Sequence, residues 1–91
     1  MHAALVTLTI DPAQAPAAAA ALMDDILPRI CSVPGFLTGH WLEPVDGRGF
    51  SMTVFESEEQ ARAATPPAAD WTAPGVTIES VEFRRVAVAV P

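Results

Sequence analysis

The dipeptide Asp46-Gly47 constrains this chain more than any other feature, because Asp-Gly set between two alternating runs is a strong hairpin signal. The runs are residues 36–43 and 49–56. A loop centred on that turn pairs Trp41 with Met52 and Gly39 with Val54. Leu37, Gly39, Trp41, Phe50, Met52 and Val54 then share one face, which is placed under the helices. The opposite face carries Phe36, Thr38, His40 and Leu42 beside Ser51, Thr53 and Phe55.

The flanking segments fill out the architecture. Residues 3–10 alternate as a strand does, with Val6, Leu8 and Ile10 on its drier face, and Asp11-Pro12 ends the strand and prepares a helix. Over residues 17–32, Leu22, Met23, Ile26, Leu27, Ile30 and Val33 form a helical stripe with Asp24, Asp25, Arg29 and Ser32 opposite; Pro28, on the wet side, predicts a kink. Pro34-Gly35 stops that helix. Ser57-Glu58-Glu59-Gln60 reads as a capping box opening a second helix of about two turns, which Pro66-Pro67 ends. An irregular stretch, 66–75, leads to a strand-like segment, 76–90, interrupted near Arg84-Arg85. The order β-α-β-β-α-β is the ferredoxin-like split unit, an α+β fold with one antiparallel sheet and both helices on one side, in a single domain spanning 1–91.

With 91 residues there is room for one core, and a domain this short buries only about 60–65% of its unfolded surface. Cys31 is the sole cysteine, so oligomerisation rather than a disulfide is the expected reinforcement. A composition of 51% hydrophobic and 18% charged residues is that of a folded globule. Net charge −6, with five arginines and no lysine, speaks against a nucleic-acid partner. Neither a basic leader nor an apolar run near the ~20 residues of a membrane span is read. The expectation is a cytoplasmic protein without a membrane partner.

From Pro34-Gly35-Phe36, through a strand and short turn, to Phe50 and onward into Glu56-Ser57-Glu58-Glu59-Gln60-Ala61, the chain resembles the antibiotic-biosynthesis-monooxygenase-like proteins of the dimeric α/β-barrel superfamily. The resemblance covers nearly the whole length. It implies a homodimer whose open sheet faces pack into a barrel, with a ligand pocket in each subunit between sheet and helices. Members include cofactor-independent quinone-forming monooxygenases and haem-degrading enzymes. Their usual catalytic set, an asparagine, a tryptophan on the second helix and a tyrosine or histidine, does not carry over. The chain has no asparagine and no tyrosine, Ala61, Ala63 and Ala64 stand where the aromatic is expected, and Phe55 precedes Glu56-Ser57 where the family often has tryptophan.

His40 is the candidate general base, with Thr38, Thr53 and Phe55 as the expected pocket wall. An imidazole of pKa near ~6.5 suits removal of a proton from an acidic phenol or enol, and a hydrogen-bonded interface histidine is the bland alternative. Trp71, in the proline-rich stretch, is read either as a wall that stacks on a planar ligand or as a plug of the core. Cys31 is expected to pack inertly. His2 and His40 are the only imidazoles and no His or Cys pair has ligand spacing, so no metal is expected. No cofactor is expected either. Three functions remain open: a cofactor-independent oxygenase or isomerase acting on a planar aromatic or polyketide-like compound, a non-catalytic domain binding a small apolar ligand, or a dimer whose lumen is filled by side chains.

Overall fold

The computed structural model describes residues 1–65 and 73–91. Four strands, β1 (His2–Ile10), β2 (Phe36–Val45), β3 (Arg48–Phe55) and β4 (Val76–Arg85), form one sheet in the order β2-β3-β1-β4. Each pairing is antiparallel. Between β1 and β2 runs a continuous helical stretch: a 3₁₀ turn (Pro12–Gln14), α1 (Ala15–Ala21), a π-helical turn (Leu22–Ile26) and α2 (Leu27–Cys31). The helix α3 (Glu58–Ala64) connects β3 toward β4. This is the α+β ferredoxin-like order expected from the sequence.

Local chemistry accounts for the element ends. The Asp11 carboxylate accepts the Ala13 N–H at 3.0 Å, and Pro12 follows in the position where its missing N–H costs nothing. Pro28 also lacks an N–H, and here inside a helix that gap must be absorbed. The interruption takes the form of the π-helical turn just before it, where the Leu27 N–H reaches back to the Leu22 carbonyl. The wider turn rotates the side chains that follow α1. Met23, expected on the buried stripe, is therefore 62% exposed.

At the start of α3 the Ser57 hydroxyl accepts the Gln60 N–H at 3.2 Å. Only half of the expected capping box forms, because Gln60 Oε1 is buried without a hydrogen-bond partner and its side chain lies over Gly35. β4 runs unbroken through Arg84-Arg85; its irregularity is a bulge opposite Thr7 and Leu8, and no strand continues beyond Arg85.

The hairpin corrects the sequence expectation. Asp46 and Gly47 both have positive φ, +53° and +75°, as a two-residue turn matched to strand twist requires, and Val45 faces Arg48 across it. The register then slips by one between Val45 and Leu42, so Leu42 faces Phe50, Trp41 faces Ser51, His40 faces Met52 and Gly39 faces Thr53. The cause is Pro44: a residue with no N–H cannot serve the ladder, and a bulge is where strands accommodate it. One slip exchanges the faces of β3. Ser51, Thr53 and Phe55 lie buried on the helix side with Gly39 and Trp41, whereas Phe50, Met52 and Val54 stand on the open side with Thr38, His40 and Leu42. A second slip, between Thr38 and Phe36, brings Phe36 to the helix side as well, edge-on to Phe55 with ring centroids 5.7 Å apart.

β1 alternates as its pattern predicts: Ala4 and Val6 are buried on the helix side, where Leu8 and Ile10 are half-buried, while Leu5 sits opposite Met52 on the open side beside the small, buried Ala3. The core is thickest under α3, where Ala4, Phe55 and Ala61 are fully buried.

Candidate functional site

Under α1 the core thins. Residues 17–21 are five consecutive alanines, and of these only Ala18 is buried. Opposite them on the sheet stands Gly49, paired with Leu8. Side chains this short do not span the distance between a helix and a sheet, and the unfilled space is a cavity of about 400 Å³. That is within the range of small-molecule sites. The sheet supplies Val6, Leu8, Trp41 and Ser51, and the helical stretch supplies Ala18, Leu22 and Ile26. The π-helical turn thus delivers two of the large apolar side chains, consistent with the tendency of such turns to occur at sites.

Trp41 is held by a close approach. A Cβ on Gly39 would stand 2.6 Å from two atoms of the Trp41 ring, so the indole lies directly across the glycine, with Phe36 beyond it. Gly39 is what lets a large flat side chain lie along the wall.

The lining is nearly devoid of charge. Among the described residues Glu43 is its only ionisable member, solvent-exposed beside Pro44, and Ser51 contributes a buried hydroxyl. Among the described residues there is also no group of three or more His, Cys, Asp or Glu side chains placed to hold a metal ion.

The side chains singled out from the sequence do not converge. His40 and Thr38 are exposed on the open sheet face, as the hairpin pattern predicts for them. Thr53 and Phe55 lie on the other face, 5% and 0% exposed, so the wall expected of the four is split by the sheet itself. His40 is across the sheet from the cavity. Trp71 lies outside the described residues. Cys31 is exposed rather than packed in the core, and it does not line the cavity. The residues that sequence reasoning missed are the cavity formers, and the signal for them was the alanine run facing a strand that contains glycine.

Away from the cavity, a charged cluster ties α3 to the sheet. Arg62 bonds Glu58 at 2.9 Å and lies 4.4 Å over the Phe83 ring, while His2 Nε2 stands 3.4 Å from Glu58. The Arg62 hydrogen bond and charge hold the Glu58 carboxyl below the usual carboxylate range, with a smaller contribution from His2.

No protein-family model matches the chain, and no curated protein does. Solved structures do. The haem degrader MhuD from Mycobacterium tuberculosis, with two haems bound in its active site, is 26% identical, matches over 100% of both chains and superposes with a TM-score of 0.72. A variant of MhuD with two manganese protoporphyrin IX molecules per active site is 22% identical, covering 100% of this chain and 99% of that one, also at 0.72. The ActVA-Orf6 monooxygenase of Streptomyces coelicolor, in complex with Nanaomycin D, is 21% identical over 99% of this chain and 90% of that one, with a TM-score of 0.67. A haem degrader and a monooxygenase are the two kinds of protein that the sequence resemblance implies, and the fold they share extends over the full length of this chain. Among the described residues no helix is long and apolar enough to cross a membrane.

Proposed function

We propose that this chain is a small monooxygenase-like protein that holds a planar, largely apolar aromatic compound between α1 and the sheet. The observation that carries this reading is the preformed cavity of about 400 Å³, walled by Trp41, Leu22, Ile26 and Leu8. Its support from likeness is that proteins of the same fold bind flat polycyclic molecules, haem in one case and Nanaomycin D in another. A dry, apolar wall favours such a ligand by removing its faces from water.

Within this reading the proton acceptor is Glu43 rather than His40, because Glu43 is on the lining and His40 is on the far face of the sheet. Trp41 provides the flat surface for stacking, and Ser51 a buried polar group for orientation. Pure binding without turnover is the second reading, favoured by the same scarcity of ionisable groups on the wall. The working unit is a homodimer joined through the open sheet faces, supported by the apolar side chains of Leu5, Met52 and Val54 on that face.

Native mass spectrometry of the protein purified from its own host tests the site. A retained aromatic compound is expected on the wild type and absent from Ala18→Phe, whose ring fills the cavity. Retention of the same compound by Ala18→Phe would move the site elsewhere.

A further inference from the structure

The cavity's charge chemistry separates its ligand from that of the haem-binding protein whose fold it shares. Haem carries two propionates and an iron that takes an axial donor, so a haem site needs cations near its edge and a ligating side chain over its face. Neither is present on this lining among the described residues: Glu43 is its one ionisable member, and it contains no His, Cys, Met or Tyr. The arginines are engaged elsewhere, Arg29 with Asp25, Arg62 with Glu58 and Arg84 with Glu82, and Arg48 and Arg85 are not on the wall. In sequence, residues 66–72 contain no basic residue and no His, Cys, Met or Tyr, and their one ionisable residue is Asp70. The net charge of −6 points the same way.

We infer that this site takes neutral or cationic polycyclic aromatic compounds and rejects haem and other aromatic carboxylates. The inference rests on the proposed cavity reading and names its ligand class. An anionic group entering the cavity would lose water, find no cation and meet Glu43 at the exposed side. A cation on the same ring system keeps its solvation near that opening and gains the Glu43 carboxylate.

Three tricyclic probes of one shape decide it: 9-anthracenemethanol, 9-anthracenemethylammonium and 9-anthracenecarboxylate, titrated calorimetrically at low ionic strength, where a partly exposed charge acts most strongly. The alcohol and the ammonium ion are expected to bind, with the carboxylate weaker by about tenfold or more. Glu43→Gln should narrow the gap between ammonium and carboxylate, and Glu43→Arg should bring the carboxylate to the affinity of the alcohol. Added hemin should keep the Soret band of the free compound.

Carboxylate binding equal to that of the alcohol, or a saturable Soret shift abolished by Ala18→Phe, would overturn the inference and leave the cavity reading standing. Binding of none of the three probes would overturn the cavity reading itself, and the inference with it.

Discussion

A side chain can lie flat on a sheet only where its neighbour leaves room, and Gly39 leaves that room for Trp41. Gly39→Ala would place a methyl group 2.6 Å from the indole, so the ring must move or the strand must bend. A cost of roughly 1–3 kcal/mol is expected. Thermal melts should show a midpoint lowered by several degrees, and an unchanged midpoint would mean that Trp41 does not lie where the structure puts it. At the same scale, Pro44 decides which residues of β3 meet the cavity. Its position inside an alternating run is legible in the sequence, yet the register expected from Asp46-Gly47 alone extends the turn's pairing past it. Turn chemistry determines only the pairs beside the turn, and a missing N–H further along resets the rest. That single bulge moved Thr53 and Phe55 away from His40 and put Ser51 on the cavity wall.

Elements whose ends carry their own signals are legible in the sequence. Asp11-Pro12, Pro34-Gly35 and Ser57 each mark a boundary through a local hydrogen bond or a missing donor, and the order of strands and helices followed from them. The cavity was less legible because hydrophobic patterning reports which face of a helix turns inward, not whether its side chains reach what lies beneath. The attachment of α3 to β1 is likewise tertiary. It rests partly on Glu58, whose depressed pKa favours the ionised form in the folded state. Its stabilising contribution is present above the ordinary carboxylate pKa and is lost as pH falls through the lower, folded value. Melting midpoints followed from about pH 5 to about pH 3 should therefore fall more steeply for the wild type than for Glu58→Gln. Parallel curves would show that the Arg62–Glu58–His2 cluster does not stabilise the fold.

For the whole molecule the unresolved balance of apolar surface lies on the open sheet face. Both helical elements cover one side, and the other presents Leu5, Phe50, Met52 and Val54 flanked by Leu42, the kind of contiguous patch that monomers seldom leave in water. Sedimentation at micromolar concentration should give about twice 9.6 kDa, with a midpoint that rises with protein concentration. Met52→Glu, on the open face, should yield a folded monomer. Phe55→Glu should instead prevent folding, because Phe55 is wholly buried beneath α3. A wild type sedimenting at 9.6 kDa would end the dimer proposal.

The location of the ligand can be measured without knowing the natural one. In protein labelled at the methyl groups of Ile, Leu and Val, titration with 9-anthracenemethanol should shift the resonances of Val6, Leu8, Leu22 and Ile26, which line the cavity, and leave Leu5 and Val54 on the opposite face unchanged. Shifts confined to Leu5 and Val54 would place binding on the open face of the sheet and contradict a site between α1 and the sheet.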